Sequence, residues 1–164
     1  MESLSTATAV QRYPGGVMTV LKFTTHRFYD LSLDQLYEIM CLRDLVFVVG
    51  QKVTAVQEVD GEDRDYHHVC GWDEDGELRA YARVSYDETP AKVGRVAVHP
   101  ELQRSGLGSQ LMGVIQSELG DRPGAMHAQA HLEAWYSSLG WQREGAVFME
   151  AEIPHVYMTW TGKP

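Results

Sequence analysis

Residues 99–112 read HPELQRSGLGSQLM. Two glycines one residue apart, Gly106 and Gly108, stand where an amphipathic run begins. Glycine inside a helix costs about 1 kcal/mol relative to alanine, so its use here asks for bare backbone. The first turn of a helix carries N–H groups with no intrahelical partner, and its dipole is positive at that end. Glycine lets an anion reach those groups without a Cβ in the way. Gln103, Arg104, Ser105, Gly106, Leu107, Gly108 and Ser109 therefore form a candidate cradle for a phosphate or pyrophosphate. A tight turn in which glycine only relieves packing fits the same two residues. Two nucleotide motifs fail on specifics. A Walker loop needs Lys and Ser/Thr after its last glycine, and a dinucleotide fingerprint needs a third glycine where Leu111 stands.

Other chemistry-bearing groups are weaker signals. His127 and His131 are four apart but straddle a predicted strand-to-helix junction, and no HExxH is present, so no metal site is expected. The acidic run DGEDRD lacks the glycine and final glutamate of a calcium loop. Arg83 and Arg95 lie on predicted neighbouring strands. A buried arginine is expensive unless paired, which points to Asp60 or Glu58 as scaffold partners, with a substrate carboxylate as the other option.

The elements that must position these groups follow from hydrophobic period and punctuation. Residues 1–16 are polar, end in Pro-Gly-Gly and read as a loose tail, leaving 17–164 as one domain. Residues 17–25 read as a first strand. Ser32 and Gln35 form a capping box ahead of a helix from about 33 towards Val46, with Leu33, Leu36, Tyr37, Met40 and Phe47 keeping the helical period. Residues 51–68 are irregular and acidic, a long loop of the kind that carries function. Strands flank Asp73-Glu74-Asp75-Gly76 as a hairpin, and 92–99 is a further strand. A helix from Gly106 to Leu119 is stopped by Gly120 as a left-handed cap. A strand over 124–130, a short helix over 131–140 and two strands around Pro154 complete the chain. The pattern is α+β in one domain.

The bulk numbers agree. At 164 residues and 44% hydrophobic content the chain can bury a core of its own. A net charge of −9 argues against nucleic-acid or anionic-membrane partners and mildly favours cationic substrates. Nothing reads as a membrane span or signal peptide. Cys41 and Cys70 have apolar neighbours and no CxxC spacing. They read as two reduced, buried thiols in a cytoplasmic protein.

Gln103-x-x-Gly106-x-Gly108, after the strand GRVAVHP and opening a helix, resembles motif A of the GNAT superfamily of acyl-CoA N-acyltransferases. AQAHLEAWYSSLGW, residues 128–141, resembles motif B, with Trp135-Tyr136 and Gly140-Trp141 at the matching places. LRDLVFVVGQ, EVDGED, AYARV, GRVAV, AQAH and IPHVYM together resemble the ElaA-like subfamily over about residues 30–160. Gly50 stands where that subfamily carries a glutamate, and KVTAV replaces its Cys-Pro-Tyr, so chemistry assigned to those positions does not transfer.

The resemblance implies a mostly antiparallel twisted sheet of about seven strands, splayed at a central acyl-CoA strand and flanked by helices. It implies acetyl-CoA as co-substrate, with residues 103–109 on its pyrophosphate, Val96, Ala97 and Val98 along the pantetheine arm, and Gln129 as a further contact. It implies direct attack by a primary amine, small or peptide-borne, in a ternary complex. Tyr136 then acts as general acid, unless it is only a core aromatic. The strand Arg95-Val96-Ala97-Val98 lacks the glutamate base of many relatives. This leaves Glu58, Asp60, His68 and His155 as base or substrate-pocket candidates. Neither cysteine falls in a motif, so no covalent acyl-enzyme is implied. The contrasting expectation is a non-catalytic module that binds or senses acyl-CoA. The expected assembly is a monomer or a homodimer, for which edge strands at the C-terminus offer a surface.

Overall fold

The structure, a computed structural model, describes residues 7–12 and 18–162, with side chains from Leu21 onward. Eight strands form one sheet: β1 (Ala7–Arg12), β2 (Met18–Arg27), β3 (His67–Trp72), β4 (Leu78–Ser85), β5 (Ala91–Val98), β6 (Gly124–Gln129), β7 (Gln142–Glu150) and β8 (Ile153–Trp160). Their order is β1-β2-β3-β4-β5-β6-β8-β7, and among the described residues only the β5–β6 pair is parallel. Three helices accompany them: α1 (Leu33–Arg43), continued by a π-helical segment (Asp44–Gly50), α2 (Leu107–Leu119) and α3 (Glu133–Ser138).

The sheet buries both faces over its central strands. On one face Phe23, Val69, Ala82 and Val84 meet Leu107, Leu111 and Ile115 of α2 and Tyr136 of α3. On the other, Cys70, Tyr81 and Ala97 meet Ile39, Leu42 and Val46 of α1 and its extension. The α2 segment links β5 to its parallel neighbour β6, as a parallel pair requires.

Local signals held where side chain and backbone are tied together. Ser32 Oγ accepts from Gln35 N at 3.1 Å and Gln35 Oε1 accepts from Ser32 N at 2.9 Å, closing the capping box. Asp73 Oδ1 accepts from the backbone N–H of Asp75 and Glu77 at 3.0 and 2.9 Å, which builds the β3–β4 turn around Gly76 at φ +79°. Gly120 ends α2 at φ +60°, with ψ −120° in place of the left-handed helical value.

Several expectations are corrected. Residues 7–12, read as part of a tail, pair with β2 and make the sheet eight-stranded; Pro14-Gly15-Gly16 lies outside the described residues. Leu33 and Tyr37 are 85% and 69% exposed, and the buried face of α1 is Ile39, Leu42 and Arg43 instead. The buried residues keep ordinary i, i+3, i+4 spacing, so the period holds and the helix face differs; the π-helical segment begins only at Asp44. Cys41 is exposed; only Cys70 is buried. The last hairpin turns at Ala151-Glu152, both with positive φ as a two-residue primed turn requires, and not at Pro154, which lies within β8.

Candidate active site

The two glycines have different jobs. Gly106 adopts φ +88° as the residue preceding α2, with no side chain capping the helix. The next intrahelical bond, Gln110 N–H to Gly106 O at 3.1 Å, leaves the amides of Leu107, Gly108 and Ser109 ahead of it without helical partners. No acidic side chain stands in that first turn. Gly108 is a packing glycine: a Cβ there would meet Trp135 Cζ2 at 3.0 Å. The packing reading applies at Gly108, while Gly106 leaves the first-turn amides uncapped. Around the cradle, Arg104 is exposed at φ +61° and the Ser105 hydroxyl donates to Leu102 O. Ser109 Oγ accepts from Trp135 Nε1 at 3.2 Å, tying α3 to the start of α2.

Strands β5 and β6 pair only at Ala91–Gly124 and Lys92–Ala125, then separate. A bulge at Arg95 (φ +53°) and Val96 interrupts the β4–β5 register between Tyr81–Ala97 and Arg83–Gly94. Beyond it, His99 N–H donates to Arg79 O at 2.8 Å. Antiparallel alternation then turns the N–H and C=O of Val98 away from β4 and into the gap left by β6. Gln103 Nε2 donates to that carbonyl at 3.2 Å. Val96 and Val98 thus line the gap. Ala97 bonds towards β4 and buries its methyl group in the α1-side core, so it contributes packing there. Gln129 closes β6 at the mouth of the gap, its Nε2 donating to Gln51 Oε1 at 2.8 Å.

Tyr136 is 5% exposed and sits in the α2-side core, its ring 4.5 Å from that of Trp135. Burial pushes its phenol well above the ordinary tyrosine value, so it stays protonated at neutral pH. No described residue hydrogen-bonds its hydroxyl, and the oxygen is not among the fully enclosed unpaired polar atoms.

The structure separates the four base candidates. Glu58 Oε1 accepts from Arg43 Nε at 2.6 Å and Arg95 Nε at 2.9 Å. Asp60 accepts from Arg83 at 3.0 and 2.5 Å and from Arg95 at 3.4 Å; the Arg83 hydrogen bonds hold its carboxyl well below the usual range. Asp63 Oδ1 takes Arg43 at 2.6 Å and Arg83 at 2.9 Å. Burial alone would raise its carboxyl, but the two guanidinium groups outweigh that and lower it. His68 is fully buried. Its Nε2 must donate to Asp63 O at 3.0 Å, since a carbonyl only accepts, so Nδ1 accepts from the Tyr81 hydroxyl at 2.8 Å. Burial lowers its pKa and keeps it neutral. Glu58, Asp60 and His68 are thus each held by protein hydrogen bonds. Arg83 and Arg95 pair as expected, and the sequence reading missed Arg43 and Asp63 at the centre of the cluster.

His155 differs. Its Nδ1 donates to Ile153 O at 2.7 Å, leaving Nε2 facing Glu150 Oε2 at 3.7 Å. His127 Nδ1 donates to Glu150 Oε1 at 2.9 Å. Phe148 stacks on His155 at 6.0 Å and meets His127 edge-on at 5.0 Å. Here α1 and its extension pack over β4 and β5, while His127, Glu144 and Glu150 on β6 and β7 are exposed on the same face. A signal for this open face was present. Polar His127, Gln129, His155, Tyr157 and Thr159 alternate with apolar Met126, Ala128, Val156, Met158 and Trp160, although His155 itself is only 7% exposed.

Residues 47–162 match the acetyltransferase (GNAT) domain family. The chain belongs to the GNAT family. It is 39% identical to protein ElaA of Escherichia coli (strain K12) over 138 residues, 79% of this chain and 89% of that protein. The crystal structure of E. coli ElaA aligns with a TM-score of 0.77 at 36% identity, covering 85% of this chain and 99% of that one. An acyl-CoA N-acyltransferase from Pseudomonas aeruginosa gives 0.78 at 38% identity, with the same coverage. The ElaA-like resemblance and the splayed fold it implied both hold. As a GNAT protein it is an acyltransferase, moving an acyl group from coenzyme A to an acceptor. Among the described residues, no helix of this GNAT chain is long and apolar enough to cross a membrane.

Proposed function

We propose that the protein transfers acetyl from acetyl-CoA to a primary amine by direct attack. The observation that carries this is the pairing of an uncapped α2 N-terminus behind Gly106 with a β5 strand that has lost its neighbour. The amides of residues 107–109, with Arg104 beside them, suit a pyrophosphate. The free edge of Val96 and Val98 suits an extended amide-bearing arm, and Gln129 stands at the mouth of the gap. Acetyl-CoA supplies the thioester.

The chain's residues supply the rest. The Val98 N–H, turned into the gap, polarises the carbonyl oxygen. His155 Nε2, the one candidate base nitrogen with no fixed hydrogen bond, takes the proton lost by the amine as its nitrogen bonds to the carbonyl carbon. Tyr136, kept protonated by burial, donates its proton to sulfur as the C–S bond breaks and recovers one from solvent. Buried Cys70, its thiol pushed up by desolvation, takes no part, consistent with a ternary-complex route.

Calorimetric titration with acetyl-CoA tests the reading. The wild type should bind saturably. Gly106→Glu, which adds both a Cβ at φ +88° and a negative charge to the cradle, should lose binding while staying folded. A folded wild type that does not bind acetyl-CoA overturns the assignment. Binding without acetylation of any primary amine leaves an acyl-CoA-binding module.

A further inference from the structure

On the open face two hydrogen-bond acceptors stand opposite each other without a donor between them. With the Nδ1–H of His155 committed to the Ile153 carbonyl, Nε2 is the nitrogen left to accept a proton. It faces Glu150 Oε2 at 3.7 Å, beyond direct hydrogen-bond range. A donor atom about 2.8 Å from each would bridge them in an open triangle. The bridging group must aim two hydrogens at two acceptors, and a primary ammonium has three to aim. Phe148, stacked on His155, and Tyr157, 5.9 Å from His127, add ring faces and edges that suit a cation and its alkyl stem. The pair lies in the right place, because His155 is the register partner of Gln129 at the mouth of the β5–β6 gap.

We propose that Glu150 and His155 together form the site for the acceptor's ammonium, a primary alkylammonium group. Glu150 Oε2 holds the cation and His155 Nε2 removes its proton. The ammonium N–H bond breaks with the electron pair left on nitrogen for attack. The imidazolium, balanced by the Glu150 carboxylate, releases that proton to solvent, and Nε2 then takes the second proton that the nitrogen loses as it bonds to the carbonyl carbon. The charged and titratable groups facing His155 are Glu150 from β7 and, through Glu150, His127 from β6. The assignment rests on the acetyltransferase reading and names the acceptor residues within it.

The test uses the full chain saturated with free coenzyme A, which cannot react. The side-chain nitrogens of His155 are followed by long-range ¹H–¹⁵N NMR, assigned by their loss in His155→Gln. Titration with n-butylammonium probes a small amine, and a lysine tripeptide blocked at both ends probes a protein side chain. Tetramethylammonium, with no N–H, is the control. The His155 Nε2 resonance should move saturably with at least one of the first two, whichever responds naming the source, and not with the control. Glu150→Gln should weaken that response at least tenfold with calorimetric acetyl-CoA binding unchanged, and Glu150→Asp should restore part of it. An unmoved Nε2 resonance, an equal response to tetramethylammonium, or full affinity in Glu150→Gln overturns the proposal. Loss of coenzyme A binding in the wild type is a different failure, that of the acetyltransferase reading.

Discussion

Two groups of charged side chains occupy the α1-side face of the sheet, and they have opposite character. Over β4 and β5, Arg43, Arg83 and Arg95 close onto Glu58, Asp60 and Asp63, each carboxylate taking at least one guanidinium at 2.9 Å or less. Over β6, β8 and β7, Glu150 Oε2 and His155 Nε2 meet no donor among the described residues, although Glu150 Oε1 accepts from His127. Both regions contain the residue types that acid–base catalysis uses. The first spends that capacity on pinning the 51–66 loop to the strands, and the second retains it. Residue type nominates a site; the hydrogen bonds left unmade select it.

The sharpest way to break this contrast is Arg43→Met. Arg43 is fully buried between Glu58 and Asp63, so the variant leaves two carboxylates short of a partner. We predict a loss of about 3–5 kcal/mol in denaturant unfolding, with acetyl-CoA affinity held within a few-fold under folding conditions. A loss below 1 kcal/mol would show that the cluster is not the clamp described. Next comes Tyr136→Phe, where no internal hydrogen bond is lost. The expected result is a drop in kcat of about 100-fold, the low end for general acid catalysis, with unchanged melting and unchanged acetyl-CoA binding. An unaltered kcat would return Tyr136 to the core.

Acid titration of stability sharpens the contrast from another side. Asp60 and Asp63 have lowered pKa values, so their contribution is present above the ordinary Asp range and lost as pH falls through it. His68, lowered by burial, adds a loss that begins below about 6.5 as the unfolded chain takes up a proton more readily. Unfolding followed by circular dichroism should therefore show stability flat near neutral pH and falling below about pH 6, steeply below about pH 4. A profile that rises on acidification would contradict the paired state of the cluster. The smallest expected effect is Ser32→Ala at the α1 cap, about 1 kcal/mol by thermal denaturation and nothing in acetyl-CoA affinity.

What was legible in the sequence was what acts over a few residues. Ser32 with Gln35, the Asp73–Gly76 turn, and Gly106 before α2 all declare themselves locally, and motif spacing carried the fold. Leu33 and Tyr37 pass for core by residue type, but the buried stripe of α1 runs through Ile39, Leu42 and Arg43, and a charged residue on that stripe hides it from a hydrophobic pattern. Arg43 was invisible because its partners are 15 and 20 residues away on a loop with no period of its own. Glu150 stands in an exposed strand outside any motif, and the tight β7–β8 turn at Ala151-Glu152, which the sequence pattern places at Pro154, brings it to His155.

The β5–β6 seam has a mechanical consequence. Only two residue pairs join the five-strand half of the sheet to the three-strand half. A ladder with so few rungs is a place where slow breathing concentrates. An extended ligand arm lying along Val96 and Val98 would add the rungs that the polypeptide omits, so co-substrate would act as a temporary ninth strand. Hydrogen exchange at β5 and β6 should then slow together when acetyl-CoA is added, joining two half-sheets that breathe separately in its absence.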